Sequence, residues 1–150
     1  MAFLTVLISA LSIAAANPPA EEPQPFTLAW PAKGQVTDGF GPRWGRPHTG
    51  VDIGILSRLS ITAAAEGTVK ATGWLPGYEG YGIVVLVDHG QGRETLYAHL
   101  SRVRARVGQH VEAGTWIGMA GCTGSCTGTH LHFELRDHGV PVDPMPLLAG

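Results

Sequence analysis

The segment His130-Leu131-His132-Phe133-Glu134-Leu135 sets two imidazoles and a carboxylate at alternate positions. On a β-strand, His130, His132 and Glu134 share one face while Leu131, Phe133 and Leu135 take the other. Imidazoles two residues apart then have Cα atoms roughly 6.5–7 Å apart and can converge on one small site. A pair of solvated histidines on an outer sheet face fits the same alternation. Upstream, His48-Thr49-Gly50-Val51-Asp52 offers another imidazole and a carboxylate, with Gly50 letting the chain turn between them. Such donors suit a zinc ion, and three of them leave a fourth position open for water. Taken alone, the pair reads equally as a surface turn in which Asp52 accepts backbone hydrogen bonds. Thr95-Leu96-Tyr97-Ala98-His99 alternates too, which puts Thr95, Tyr97 and His99 on one face; His99 also fits a strand-end histidine bonded to backbone.

The elements that must carry these residues are short strands. Thr68–Leu75, Gly82–His89, Glu94–Leu100, Thr115–Ala120 and His130–Arg136 are rich in β-branched or aromatic residues and are separated by glycine-containing turns. Arg102, Arg104 and Arg106 alternate with Val103, Ala105 and Val107, a period of two that predicts one wet face. No segment reads as a helix longer than two turns. The expected fold class is all-β: an antiparallel sheet whose glycine turns carry loops around one face. Trp30 and Trp116 read as core, and His89, His110 and His138 as solvated turn residues.

The chain has 150 residues, room for one domain of ordinary size. Its formal net charge is −2, so no basic excess exists to neutralise phosphates, and nucleic acid is not an expected partner. Two cysteines cannot make a disulfide-rich scaffold. The sequence contains no His-Glu-x-x-His helix site, no Gly-x-Ser-x-Gly elbow and no phosphate-cradling glycine loop.

Residues 1–16 are apolar except for Thr5, Ser9 and Ser12; set aside, they leave an apolar share of about 40%, an ordinary value. The run is too short to span a membrane and closes on Ala14-Ala15-Ala16, which a signal peptidase could cut, although no Lys or Arg precedes it. It is read as a signal peptide, which predicts export to the periplasm, cell wall or exterior with no membrane anchor after cleavage. Residues 17–29 hold four prolines and read as a stiff spacer, leaving 30–150 as the domain.

Four motifs occur in order: Gly-Arg-Pro-His48-Thr-Gly-Val-Asp52-Ile, Gly82-Ile-Val-Val-Leu-Val-Asp-His, Leu96-Tyr-Ala-His99-Leu-Ser, and Gly121-Cys-Thr-Gly-Ser-Cys-Thr-Gly-Thr-His130-Leu-His132-Phe-Glu134. Together they resemble peptidase family M23, the lysostaphin-like or LytM-type zinc endopeptidases, from about Trp30 to Leu147. The resemblance implies a twisted antiparallel sheet with one zinc ion per chain in a loop-lined groove. It matches His48, Asp52 and His132 to the zinc ligands, and His99 and His130 to the catalytic histidines. It implies hydrolysis of peptide bonds in peptidoglycan stems or cross-bridges. The alternative is a non-catalytic LytM-type module that activates another wall hydrolase, as family members that have lost ligands do. Ile55-Leu-Ser-Arg-Leu-Ser60 departs from the family's Gly/Pro-rich turn after the aspartate.

Glu134, on the His132 face, is a candidate to orient an imidazole from behind, or else a sheet-surface carboxylate. Tyr97 is a candidate substrate contact, or else packing. Cys122 and Cys126, in an exported protein, are candidates for a local disulfide before the His130 strand. A Cys₂His₂ zinc site with His130 and His132 would have spacings unlike those of zinc fingers and would leave His48, Asp52 and His99 unexplained.

Overall fold

A computed structural model describes residues 25–43 and 45–149. The stretch read as a signal peptide, and most of the proline-rich spacer, lie outside the described residues. The strands in chain order are β1 (Leu28–Ala29), β2 (Gln35–Asp38), β3 (Gly41–Arg43), β4 (Arg46–His48), β5 (Val51–Gly54), β6 (Ser60–Thr62) and β7 (Gly67–Trp74). They continue as β8 (Ile83–Gly90), β9 (Arg93–Val103), β10 (His110–Val111), β11 (Trp116–Ala120), β12 (Leu131–Asp137), β13 (Val140–Val142) and β14 (Leu148–Ala149). Among the described residues the helical elements are two short 3-10 turns, Glu79–Tyr81 and Met145–Leu147.

The main sheet runs β10-β7-β8-β9-β12-β5-β2, with every neighbouring pair antiparallel. This is the expected all-β antiparallel fold. Strand β11 bridges β6 and β9, β13 pairs with β12, and β3 and β4 form a separate hairpin.

The run Val84-Val85-Leu86-Val87 in β8 is apolar on both sides because both faces of the sheet are covered. Val85 and Val87 enter the principal core with Val51, Ile53, Tyr97 and Phe133, while Val84 and Leu86 form a smaller cluster with Leu96 and Ala98 beneath Tyr78 and Tyr81. A side chain such as Phe133, fully buried, contributes roughly 1.5–3 kcal/mol. In the β12–β9 register His132 stands opposite Ala98 and Glu134 opposite Leu96, whereas Phe133 stands opposite Tyr97. Cross-strand partners share a face, so the polar side of β12 lies with the smaller cluster and its apolar side lines the core.

Some expectations change. The packed body begins before Trp30: Leu28 is fully buried and pairs in parallel with Leu148, and Phe26 packs on the core. The last apolar residues of the expected spacer therefore belong to the fold. Arg102, Arg104 and Arg106 are exposed, but only Arg102 lies on a strand, because β9 ends at Val103. Trp116 is not core. It is 44% exposed, with Arg104 stacked 4.2 Å from its ring centroid.

His89 is not a solvated turn residue either. Its Nδ1 donates to the Glu66 carbonyl at 2.6 Å, and Nε2 meets the Thr95 hydroxyl at 2.8 Å, which in turn bonds the Tyr97 hydroxyl at 3.0 Å. Burial is the main cause of its lowered pKa, below the ordinary 6.5. The folded protein therefore binds this proton less readily than the unfolded chain, so its stability is fully present above about pH 6.5 and falls as pH drops through the folded value. In metal-free protein, denaturant midpoints compared between about pH 7 and about pH 5 should fall with acidity, and His89→Gln should flatten that dependence.

Candidate functional site

His48 ends β4, Asp52 sits in β5, and His132 faces Asp52 across the β12–β5 pair. Between the first two, Gly50 passes so close to β12 that a Cβ there would lie 2.3 Å from the Phe133 carbonyl oxygen. Only glycine lets the His48–Asp52 turn close against the strand that carries His132. All three side chains are buried.

Their donor atoms form a small triangle. His48 Nε2 lies 3.2 Å from His132 Nδ1 and 3.2 Å from Asp52 Oδ1, and His132 Nδ1 lies 2.9 Å from that oxygen. A tetrahedral ion with bonds of ~2.0–2.1 Å spaces its ligand atoms about 3.3 Å apart, so the donor set fits a small divalent metal ion. Among the described residues this is the one group of three or more His, Cys, Asp or Glu residues with such convergence. Burial disfavours the Asp52 carboxylate, but the His132 hydrogen bond and the neighbouring imidazoles outweigh it and lower its pKa. It stays an anion.

Hydrogen bonds on the far side of each ring decide which nitrogen is free. His48 Nδ1 donates to the Gly39 carbonyl at 2.6 Å, which leaves the Nε2 lone pair for the centre. His132 Nε2 donates to Glu134 Oε1 at 2.9 Å, which leaves Nδ1 as the nitrogen that faces Asp52 and the centre; burial works against the charged ring, yet the two carboxylates raise its pKa above 6.5. Glu134 is fully buried, so the sheet-surface alternative fails. Tyr81 donates to the same Oε1 at 2.7 Å, as does the Thr49 hydroxyl, and Arg136 Nε donates to Oε2 at 2.8 Å. Burial works against this carboxylate, yet its donors and the Arg136 charge bring its pKa down to about 2.

His99 and His130 complete the groove wall. Register shifts between Ile83–Leu100 and Val85–Tyr97 put one extra residue into β9, and His99 adopts φ +58°. This bulge breaks the alternation. His99 turns toward His130 and His132, with ring centroids 4.8 and 6.0 Å away, while Tyr97 stays in the core. Tyr97 is therefore packing and not a substrate contact. It is fully buried against Phe133, its hydroxyl accepts from the Ala64 N–H at 2.8 Å, and burial pushes its pKa up to about 12.

His99 Nδ1 donates to the Thr123 carbonyl and His130 Nδ1 to the Gly128 carbonyl, both at 2.8 Å, so each has Nε2 free. Burial lowers the His99 pKa below 6.5. Its neutral form therefore predominates at neutral pH. His130 Nε2 lies 3.6 Å from Asp52 Oδ1. Cys122 and Cys126 are joined by a disulfide, which removes the Cys₂His₂ alternative because both sulfurs are already bonded to each other. The open groove over the metal triangle is also lined by Arg43, Arg46, Ile55, Gly80, Tyr81 and Thr127.

Tyr81, Thr49 and Arg136 were missed by sequence reasoning. Tyr81 lies 53 positions from Glu134, and nothing local in Tyr78–Tyr81 signals that contact. Arg136 continues the His132–Glu134 alternation and was legible in principle.

The model of peptidase family M23 matches residues 46–144. The chain is 42% identical over 100 residues to the DD-carboxypeptidase/endopeptidase Mpg of Neisseria meningitidis, covering 67% of this chain and 22% of that protein. It is 34% identical over 126 residues to the murein hydrolase activator EnvC of Escherichia coli, covering 80% of this chain and 28% of that protein. The chain thus spans less than a third of the length of these curated relatives. A zinc-containing peptidase from Vibrio cholerae superposes with a TM-score of 0.71 at 31% identity, over 79% of this chain and 39% of that one.

Two measurements test the site geometry. Glu134→Gln, which can still bond the ring but carries no charge, should weaken divalent-metal binding about 10- to 100-fold in chelator competition. Tyr97→Phe should lose about 1–3 kcal/mol of unfolding free energy, because the Ala64 N–H is left without its partner, and should leave divalent-metal affinity unchanged.

Proposed function

The chain belongs to peptidase family M23, and on that premise we propose that it is an exported zinc-dependent endopeptidase that hydrolyses peptide bonds in peptidoglycan stems or cross-bridges. The observation that carries this reading is the convergence of three potential ligand atoms, from His48, Asp52 and His132, beside two further imidazoles whose Nε2 atoms belong to the same groove. His48 Nε2, Asp52 Oδ1 and His132 Nδ1 would hold one zinc ion. Bound there, zinc supplies a water of pKa near ~7 and polarises a carbonyl oxygen.

The chain's own residues do the rest. Glu134 keeps His132 in the Nε2–H tautomer and adds negative charge behind the ring. His99 and His130 share the proton work: a neutral imidazole takes a proton from the attacking water at Nε2, and a protonated one returns it to the departing amine. Whichever of the two rings is protonated presents an Nε2–H that stabilises negative charge developing on the carbonyl oxygen. Likeness to Mpg and to the zinc-containing Vibrio peptidase supports a peptidase. Export rests on residues 1–16; no described helix is long and apolar enough to cross a membrane.

A second reading, activation of another wall hydrolase, draws on the likeness to EnvC. The complete donor set and both groove histidines argue for catalysis, since an activator has no need of them.

With zinc bound, the protein should release new amino termini from purified peptidoglycan, lose that activity to a chelator and regain it with zinc. His130→Ala should lower kcat by about 10²- to 10⁴-fold at unchanged zinc content. Zinc-loaded protein that releases nothing, yet stimulates a separate wall amidase, would establish the activator reading instead.

A further inference from the structure

The ten residues 121–130 join β11 to β12, and the two limbs before His130 are held differently. The first limb is pinned. The Thr123 hydroxyl donates to the Leu100 carbonyl at 2.7 Å and accepts from the Ile83 N–H at 3.0 Å, and the Ser125 N–H donates to the Gly80 carbonyl at 2.9 Å. Packing adds to this, since a Cβ on Gly124 would lie 2.4 Å from the Gly82 nitrogen. The Thr123 carbonyl, which accepts from His99 Nδ1–H, therefore sits on a segment tied to β8, β9 and the Glu79–Tyr81 turn.

The second limb lacks such ties. Among the described residues, 126–129 make no backbone hydrogen bond to the rest of the protein. Thr127, Gly128 and Thr129 are exposed, and a Cβ on Gly128 would meet nothing within 4 Å. Yet Gly128 supplies the carbonyl that accepts from His130 Nδ1–H. The covalent link that holds this limb to the pinned one is the Cys122–Cys126 bond, with Cα atoms 5.3 Å apart.

We propose that the Cys122–Cys126 disulfide is a positioning device for His130 specifically: it ties the loose limb to the pinned one, so that the Gly128 carbonyl keeps the imidazole in its Nδ1–H tautomer with Nε2 facing the groove. His99 does not depend on it, because the Thr123 carbonyl is held by its own hydrogen bonds. The His130 backbone is itself fixed by its N–H bond to the Gly121 carbonyl at 3.2 Å, so what the disulfide holds is the Gly128 carbonyl and, through it, the His130 ring. The catalytic consequence rests on the endopeptidase reading; the tautomer consequence does not.

The test compares the zinc-loaded native protein with the Cys122→Ser/Cys126→Ser variant by two readouts. Nitrogen NMR of the histidine rings should show one Nδ1–H tautomer for His130 in the native protein and a mixture in the variant, while His48, His99 and His132 keep their native signals. Hydrolysis of peptidoglycan should fall about 10- to 100-fold in kcat, with zinc affinity within about twofold of native. If the variant folds poorly, a water-soluble phosphine applied to the native protein makes the same comparison: the phosphine is oxidised to its oxide, both sulfurs become thiols, and reoxidation should restore His130. An unchanged His130 tautomer and an unchanged kcat overturn the proposal, as does an equal disturbance of His99. If the zinc-loaded native protein cleaves nothing, the endopeptidase reading fails, and the ring tautomers alone decide the positioning role.

Discussion

A carboxylate buried to zero exposure in the middle of a sheet is a charge the fold must compensate, and Glu134 is that charge. Uncompensated, it would cost several kcal/mol. The compensation comes from four places: the ring of His132 two residues earlier, the Thr49 hydroxyl beside the His48 turn, the Tyr81 hydroxyl from the loop before β8, and the Arg136 guanidinium. Satisfying one carboxylate thereby brings together the strand that carries His132, the turn between two candidate ligands and a groove-lining loop. Arg136 is itself held by the Tyr78 hydroxyl at 2.8 Å, which draws the Tyr78–Tyr81 loop over the smaller apolar cluster. The site and that face of the sheet are stabilised by the same contacts.

The orientation of the imidazoles follows a common pattern. Each of the four groove histidines spends one ring nitrogen on a fixed oxygen acceptor: Gly39, Thr123 and Gly128 carbonyls, and the Glu134 carboxylate. Of the remaining nitrogens, those of His48, His130 and His132 lie within 3.6 Å of Asp52 Oδ1. A cluster of four imidazoles arranged otherwise would place N–H groups against one another or leave buried donors unpaired. Ring tautomers are therefore set by backbone carbonyls of loops as much as by the strands that carry the histidines.

Alternation along β12 was legible in the residues. Its polar face carries His132 and Glu134 and its apolar face carries Phe133, because a strand offers only two sides. The same rule applied to β9 failed at His99. One extra residue and a positive φ turned that imidazole to the opposite face from the one it would share with Tyr97. A bulge depends on how three strands fit together, and no local residue pattern in Thr95–His99 announces it. Trp116 and His89 failed for a related reason: whether a side chain is covered depends on which distant segment lies across it. For Trp116 the answer is little beyond Arg104, and for His89 it is Glu66, Thr95 and Phe26.

Residue types and spacings by themselves determined the all-β class and offered His48, Asp52, His99, His130 and His132 as candidates, since periodicity and side-chain chemistry are local properties; the resemblance to family M23 sorted them into implied ligands and implied catalytic histidines. The tertiary structure decided which atoms of those residues meet. The 2.9–3.2 Å triangle requires β4, β5 and β12 to be brought side by side across 84 positions of chain. It also decided that Glu134 is a buried anion and that Tyr97 belongs to the core, because burial and hydrogen-bond partnership are properties of surfaces in contact, which exist only once the strands are assembled.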